Sequence, residues 1–223
     1  MITFVVRSRN EERWIGHCLQ SIIDEFGTAQ VEIKIVDNES RDDTLQVVKM
    51  FRRDHNIEVL SIAKSDYTPG KSLNLGLRSA SPESRFACLM SAHCVVDNID
   101  CGRLENYFED DQCFGVIGRQ IPVYKGKRLI SKYVWENFKG GDGAPIKNLR
   151  ENIEGSPPFF HNAFSFINLK CWRANNFDEK VTGKEDRLWA NQFLEKGDYS
   201  LYDPLQSCVH HWTDKCATWS GLG

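Results

Sequence analysis

Residues 31–40 read VEIKIVDNES: six residues rich in valine and isoleucine, followed directly by four polar residues. A short run of β-branched residues that stops at turn-forming residues is typical of a buried strand. The next segment carries Leu45, Val48 and Phe51 at helical spacing, which predicts a helix with one apolar side. This strand–turn–helix unit places the carboxylate of Asp37 at the carboxyl end of its strand.

The same unit recurs through the first hundred residues. Strands are predicted at 2–6, 57–62 and 86–90, and an apolar helical stripe begins at Trp14. Strands separated by helices pair in parallel through right-handed crossovers. The sequence therefore predicts an α/β fold with a Rossmann-like, mostly parallel sheet and helices on both faces.

The second half of the chain is less regular. A strand is predicted at 114–121 and a helix at 184–196. Three apolar residues of this helix are expected to face the core: Leu188, Phe193 and Leu194. Residues 139–158 are rich in Gly, Asn and Pro, and we expect this long loop to fold over a ligand.

Composition restricts the partners and the compartment. The 223 residues carry a net charge of −3, so the chain has no basic field for nucleic acid or acidic lipid. None of the eight cysteines forms a CxxC pair, which argues against a zinc ribbon. No apolar stretch approaches the ~18 residues of a membrane-spanning helix, and the first residues lack the order of a secretory signal. We therefore expect a cytoplasmic protein with free thiols rather than a disulfide-bonded secreted domain.

The chemistry is expected where the parallel strands end. Ligands of such sheets bind beyond the carboxyl ends of the strands, which here are residues 7–10, 37–40 and 91–94. A carboxylate at Asp37 suits hydrogen bonding to a base or a ribose, although a turn that caps the next helix explains it equally well. His93 is suited to a metal ion or a phosphate, and also to a structural role.

Two further segments are candidates for the site. Residues 65–76 place Asp66 and Lys71 around a Pro-Gly turn, where the lysine is suited to neutralise a diphosphate. The segment is not a P-loop, because GxxxxGK[ST] is absent. Glu185 and Asp186 stand at the start of a predicted helix, either as capping charges or as the general base for an acceptor hydroxyl.

The order of these segments resembles the signature of family-2 glycosyltransferases of the GT-A fold, and in particular their rhamnosyltransferase-like branch. Six elements carry the resemblance: RNEE at 9–12, IVDNESRDDT at 35–44, GKSLNLG at 70–76, FFHNAFS at 159–165, FDE at 177–179 with GKEDRLWA at 183–190, and VHH at 209–211. The resemblance spans residues 2 to about 212. Six elements in the right order are far more specific than any one of them.

The resemblance implies transfer of a sugar from a nucleotide-sugar donor to a carbohydrate acceptor with inversion, with Asp186 as the base and Glu185 beside it. Residues 1–95 would form the donor-binding half and residues 96–223 the acceptor-binding half of one domain. Donor-binding residues are expected at Arg9, Asn10, Glu11, Asp37, Asp66, Lys71, Asn74, Ser91 and His93. Acceptor-binding residues are expected at Asn162 and Trp189.

One departure from the family pattern concerns the metal. The family's metal-binding DxD tripeptide falls just after the fourth strand, where residues 91–93 of this chain read SAH. Magnesium and manganese prefer oxygen ligands, so the loss of both carboxylates weakens such a site unless histidines compensate. His93, His210 or His211 could compensate, although only one of the adjacent His210 and His211 can serve a given site, because neighbours on a strand point to opposite faces. We take His93 and His211 as the candidate ligands. The sequence leaves the need for a divalent cation open.

The resemblance also implies the partners. The donor is expected to be of the UDP or dTDP type, and the acceptor a glycan or a lipid-linked glycan in surface polysaccharide biosynthesis. We expect any peripheral association with the inner face of the membrane to go through a partner. If no metal binds, Lys71 or Arg7 is the cation that remains for the leaving diphosphate.

Two other classes of protein stay open. The lost DxD carboxylates are compatible with a catalytically inactive GT-A domain that binds nucleotide or glycan, whereas the pair Glu185 and Asp186 argues against it. A sugar nucleotidyltransferase carries a glycine-rich basic loop after its first strand, and residues 7–13 contain no glycine.

Overall fold

The computed structural model describes residues 1–27, 31–124, 126–128, 143–148 and 159–211. Within these ranges lie ten strands: β1 Ile2–Ser8, β2 Val31–Asp37, β3 Ile57–Ser61, β4 Phe86–Ser91, β5 Cys94–Asn98, β6 Cys113–Tyr124, β7 Lys127–Arg128, β8 Ile146–Asn148, β9 Phe164–Asn168 and β10 Tyr199–His211. The same ranges contain six helices: α1 Ile15–Phe26, α2 Thr44–Phe51, α3 Pro69–Arg78, α4 Cys101–Tyr107, α5 Leu169–Ala174 and α6 Glu185–Leu194.

All ten strands belong to one sheet, with the order β3-β2-β1-β4-β9-β6-β10-β5, β7 pairing with β6 and β8 with β10. The first four strands in this order pair in parallel, as the alternation of strands and helices predicts. Antiparallel β9 then joins β4 to β6, and antiparallel β5 closes the far edge on β10. The predicted α/β architecture is confirmed: three of the four parallel pairings in the described ranges join strands of the first half of the chain, and the fourth joins β6 and β10.

Helices cover both faces of this sheet because the side chains of each strand alternate. In β1, Phe4 and Val6 belong to the apolar cluster that contains Ile15 of α1, whereas Val5 belongs to the cluster that contains Leu73 of α3. All five side chains are completely buried. Burial of each such side chain contributes about 1.5–3 kcal/mol, so the two clusters hold the helices against the central strands.

Helix α6 differs from the sequence prediction on one point. The expected helix is present at Glu185–Leu194, and Phe193 and Leu194 are buried as predicted. Leu188, also expected in the core, is 45% exposed, and that prediction was wrong. The buried stripe is centred on Trp189 and Phe193 instead, and Leu188 is rotated by about 100° from Trp189 around the helix.

The start of α3 packs closely against the segment that precedes α6. Gly70 is the second residue of α3, and a methyl group on it would lie 2.1 Å from the carbonyl oxygen of Asp178. We expect Gly70→Ala to lower the free energy of unfolding by about 1–3 kcal/mol, because a backbone atom cannot move aside as a side chain can.

Urea denaturation measures this effect, and the chain offers a matched control. Gly102 is the second residue of α4, and a methyl group there would approach nothing closer than the Asp100 carboxylate at 3.5 Å. Gly102→Ala should leave the stability unchanged or raise it by up to about 1 kcal/mol. Equal losses in both variants would show that the close approach at Gly70 does not limit stability.

Three sequence predictions concern membrane-spanning helices, the cysteine thiols and the loop at 139–158. None of the helices in the described ranges is long and apolar enough to cross a membrane. Seven cysteines are free thiols, and Cys216 lies outside the described residues. The predicted ligand-covering loop at 139–158 also lies largely outside them, apart from residues 143–148.

Candidate functional site

The three predicted strand ends lie side by side. Ser8, the last residue of β1, stands opposite Asp37 of β2, and Arg7 stands opposite Ser91 of β4. Because these strands are parallel, their polar ends meet at the same edge of the sheet. The cleft beyond this edge is the candidate site.

Asp37 organises the turn that follows β2. Its carboxylate accepts hydrogen bonds from the Ser40 backbone N–H at 3.0 Å and from the Ser40 hydroxyl at 2.5 Å, and the residue is 2% exposed. Asn10 ties the end of β1 to this turn: its backbone N–H donates to Ser40 Oγ, and its Oδ1 accepts from the Arg41 N–H at 2.8 Å. Arg9 beside it is exposed. The two loops thus form one braced rim.

Three buried polar atoms at this rim have no hydrogen-bond partner among the described residues: Arg7 Nε, Ser8 Oγ and Asn38 Oδ1. Buried polar groups in folded proteins are nearly always paired, and one left alone costs about 1–3 kcal/mol. Arg7 and Ser8 are successive residues of β1, so their side chains point to opposite faces of the sheet, and the three atoms mark polar strand ends open to a ligand rather than one pocket. The sequence offered no signal for Ser8 or Asn38 beyond their position after a strand.

The acidic pair of α6 is connected to this rim. Glu185 is 5% exposed, and its carboxylate accepts a hydrogen bond from the side-chain amide of Asn162. The Asn162 side-chain oxygen in turn accepts from Arg7 Nη2, which also lies 3.3 Å from the Asn162 carbonyl oxygen. The sequence did not predict this link. Both polar atoms of the Asn162 side chain are engaged within the protein, so the residue positions Glu185 rather than facing an acceptor as predicted.

Asp186, next to Glu185, is half-buried, and its Oδ1 accepts a hydrogen bond from the Arg187 N–H at 2.8 Å. Burial, together with the neighbouring negative charge of Glu185, raises the pKa of Asp186 to about 6. The Arg187 hydrogen bond and the charges of Arg187 and Arg7 oppose this rise. A carboxylate with a pKa near 6 suits general-base catalysis close to neutral pH.

A buried polar network that the sequence did not reveal lies between these parts. His210 Nδ1 is 2.5 Å from Gln120 Oε1, and Gln120 Nε2 lies 2.8 Å from the His161 ring. The His210 ring also stacks on His93, with centroids 4.9 Å apart. Burial lowers the pKa of His161 to about 3 and that of His210 well below its usual value. Both rings are therefore neutral at pH 7. The indication of this network in the sequence was Gln120, a polar residue inside the strand predicted at 114–121.

The His211 N–H donates to the His93 carbonyl at 3.0 Å, but the side chains of these two candidate metal ligands do not converge. His93 Nδ1 pairs with Glu11 Oε1 at 2.8 Å, whereas the ring of His211 stacks on Trp14 with centroids 3.9 Å apart. Within the described ranges, no group of three or more His, Cys, Asp or Glu side chains is arranged to hold a metal ion. With Ser91 in the place of a carboxylate, this donor set does not fit magnesium or manganese.

Asn74, expected to bind the donor, is a structural residue. It is completely buried, and its side-chain N–H₂ group donates to the Phe177 carbonyl and to Glu179. Its side-chain oxygen accepts from Trp172 Nε1 and from the Phe177 N–H. All its polar atoms are used to hold α3 against the segment before α6, so the donor-binding prediction is corrected.

Trp189, expected to stack on an acceptor sugar, is also structural. The residue has no exposed surface, and its Nε1 donates to the Asn175 carbonyl at 2.7 Å. Four phenylalanine rings surround it at centroid distances of 4.8–5.6 Å: Phe114, Phe160, Phe177 and Phe193. A ring covered in this way has no face for a sugar, and the acceptor-binding prediction is corrected.

The remaining two donor candidates lie around the start of α3. Asp66 is exposed in the turn that precedes the helix, and Lys71 is half-buried in its first turn. The pKa of Glu179 is lowered by its hydrogen bond from Asn74 and, less strongly, by the charges of Arg78 and Lys71. The positive charge of Lys71 therefore acts on a carboxylate of the protein.

Comparisons with known proteins identify the family of the chain. The family model described as glycosyl transferase family 2 matches residues 3–168. A Methanococcus voltae protein named dolichyl N-acetyl-alpha-D-glucosaminyl phosphate 3-beta-D-2,3-diacetamido-2,3-dideoxy-beta-D-glucuronosyltransferase is 31% identical over 206 residues. That alignment covers 90% of this chain and 60% of the relative.

A second relative is the Staphylococcus aureus poly(ribitol-phosphate) beta-N-acetylglucosaminyltransferase TarS, 32% identical over 80 residues, or 35% of this chain and 14% of TarS. The crystal structure of TarS 1–349 with UDP-GlcNAc superposes with a TM-score of 0.72 at 17% identity, covering 98% of this chain and 60% of that one.

The mannosyltransferase PcManGT from Pyrobaculum calidifontis, solved with GDP-Man and Mn²⁺, superposes with a TM-score of 0.68 at 17% identity. The superposition covers 96% of this chain and 57% of PcManGT. The chain thus spans at most 60% of these relatives. The structural matches confirm the GT-A fold, and the family model identifies the chain as a member of glycosyltransferase family 2.

Proposed function

We propose that this chain transfers a sugar from a nucleotide-sugar donor to a carbohydrate acceptor, with inversion at the anomeric carbon. The observation that carries the proposal is the link from Arg7 through Asn162 to the acidic pair of α6. It connects a rim of unpartnered polar atoms, suited to a polar donor, with a half-buried carboxylate of raised pKa, suited to a base. A GT-A transferase needs these two sites next to each other.

The relatives support a class of donor and a class of pathway. TarS is solved with UDP-GlcNAc and PcManGT with GDP-Man, which supports a nucleoside diphosphate as the leaving group. The names of TarS and the archaeal relative refer to poly(ribitol-phosphate) and dolichyl phosphate. These names support an acceptor that is a surface polysaccharide or a lipid-linked glycan. The UDP or dTDP type of donor and the rhamnosyltransferase-like branch remain predictions.

We assign donor binding to the half of the domain formed by residues 1–95. The donor set comprises Arg9, Asn10, Glu11, Asp37, Asp66, Lys71, Ser91 and His93. Asp37 and Asn10 hold the rim that would receive the nucleoside, and Ser8 and Asn38 supply the free hydroxyl and amide oxygen. The half formed by residues 96–223 contributes the base and the acceptor side.

Asp186 is the proposed base. As the acceptor oxygen attacks the anomeric carbon from the side opposite the diphosphate, its proton passes to the Asp186 carboxylate. Glu185, held by Asn162, keeps a negative charge beside it and so raises its pKa. A single displacement of this kind inverts the anomeric configuration.

The raised pKa of Asp186 gives a pH prediction. Below about pH 6 the carboxyl group is protonated and cannot accept the acceptor proton. We expect kcat/KM to rise with pH, to reach half its limit near pH 6 and to level off above about pH 7. Rate measurements between pH 5 and 8 test this, and a profile that falls as pH rises over this range would exclude Asp186 as the base.

Calorimetric titration with UDP, dTDP, GDP and CDP tests the donor class. Binding of one nucleotide more tightly than the others supports the transferase and names the base. The second candidate function, an inactive GT-A domain, is favoured by the missing DxD carboxylates. It predicts nucleotide or glycan binding without consumption of any nucleotide sugar. Binding of none of the four nucleotides would contradict the proposed function.

A further inference from the structure

We infer that the guanidinium of Arg7 takes the place of a divalent cation at the leaving diphosphate, so that this protein works without a metal. The inference rests on the proposed function and concerns the same site. Its starting point is the set of candidate metal ligands among the described residues, His93 and His211 beside Ser91, which does not fit magnesium or manganese. A leaving diphosphate nevertheless needs a positive charge at its oxygen atoms.

Arg7 stands where that charge is needed. It lies on β1 directly opposite Ser91 of β4, and Ser91 opens the SAH segment that replaces the DxD tripeptide. Where the family pattern has two carboxylates to hold a cation, this chain has a neutral hydroxyl, a histidine and, on the adjacent strand, an arginine. The loss of the negative charges and the presence of a fixed positive charge occur at the same place.

The guanidinium is held so that part of it remains for a ligand. Arg7 Nη2 is engaged with the carbonyl and the side-chain oxygen of Asn162. Its Nε is buried and has no partner among the described residues. Arginine stays charged at all physiological pH values, and its planar fork matches phosphate oxygens. Fixed at one end and unpaired at Nε, the group is preorganised to donate to an anion.

The Glu11 and Glu185 carboxylates are engaged by other partners, so neither occupies the Arg7 guanidinium. The Glu11 carboxylate pairs with His93, and Glu185 accepts from Asn162. The charge of Arg7 acts on Asp186, where it opposes the rise in pKa. The charge of Arg7 thus acts on the proposed base. Among the described residues, however, no carboxylate accepts a hydrogen bond from Arg7 Nε. A divalent cation at the same place would be repelled by this fixed positive charge.

The step balances without a metal. The bond between the anomeric carbon and the diphosphate oxygen breaks, and its electron pair stays on that oxygen. The bond from the acceptor oxygen to the anomeric carbon forms, and the acceptor proton passes to Asp186. The negative charge that appears on the diphosphate is stabilised by the guanidinium of Arg7, with no oxidation or reduction.

The test is calorimetric titration with UDP, dTDP, GDP and CDP in EDTA and again in manganese, on the whole chain and on three variants. We expect the wild-type Kd to be the same in both buffers within about twofold. Arg7→Gln should weaken nucleotide binding by about tenfold or more and lower kcat by about 10²–10³-fold. Arg7→Lys keeps the charge but loses the planar guanidinium. Its nucleotide affinity should lie between those of the wild type and Arg7→Gln, and the variant should remain folded.

Arg85→Gln is the matched control. Arg85 is exposed and immediately precedes β4, at the end of that strand opposite the candidate site. Its substitution therefore removes the same positive charge away from the site. Its nucleotide affinity should equal that of the wild type. Binding that EDTA abolishes and manganese restores would overturn the inference and leave the proposed function intact, as would an Arg7→Gln variant with unchanged affinity. Binding of no nucleotide in either buffer would overturn both.

Discussion

Asp186→Asn should lower kcat by about 10²–10⁴-fold and leave nucleotide affinity unchanged. The amide has the size of the carboxyl group but cannot take the acceptor proton. The donor rim lies on β1, β2 and β4, whereas Asp186 lies in the first turn of α6. We therefore expect this variant to keep its nucleotide affinity while its kcat falls. Release of the nucleoside diphosphate measures kcat.

The control for Asp186 is Asp111→Asn. Asp111 is exposed and pairs with Lys170 at 2.6 Å, so the substitution removes the same charge from the surface. Its kcat should match the wild type. We also expect Asp186→Asn to unfold no more easily than the wild type at pH 8, because burial disfavours the charged carboxylate there. A kcat within about threefold of the wild type would exclude Asp186 as the base.

Trp189→Ala should lower the free energy of unfolding by about 3–5 kcal/mol. The side chain is completely buried among four phenylalanine rings, and its removal leaves a cavity and an unpaired carbonyl at Asn175. Chemical denaturation at pH 7 measures the loss. An effect of this size would leave a marginally stable domain largely unfolded at 37 °C.

Leu188→Ala is the control on the same helix. Leu188 is 45% exposed, so its truncation should change the stability by no more than about 0.5 kcal/mol. If Trp189→Ala kept the wild-type stability and instead raised KM for an acceptor, the residue would face the acceptor as the sequence suggested, and the packing described for α6 would be wrong.

The sequence predicted the parallel half of the sheet well. Residues 2–6 and 86–90 are short runs of mostly apolar residues, and 31–36 alternates valine or isoleucine with Glu32 and Lys34; each is a strand inside the sheet. Such strands are buried on both faces, so their composition alone identifies them. Polar residues after these strands were correctly expected at one edge, because parallel pairing fixes where carboxyl ends meet.

The environment of single side chains was less predictable. Asn74 and Trp189 belong to motifs of the site, yet both are enclosed by segments distant in sequence. The links from Arg7 to Asn162 and from Gln120 to His210 join residues 155 and 90 positions apart. Helical and strand periodicity report only local order, so contacts of this range become visible only in the folded chain.

The most direct test of the account is proton NMR of the purified protein with the nucleotide sugar whose nucleotide binds most tightly. The account predicts that the nucleoside diphosphate is released and that the sugar product first appears with the opposite anomeric configuration, whether the acceptor is a glycan or water. The Asp186→Asn protein should bind the donor and consume it far more slowly. A bound donor that the wild type never consumes, or a product of retained configuration, would contradict the account.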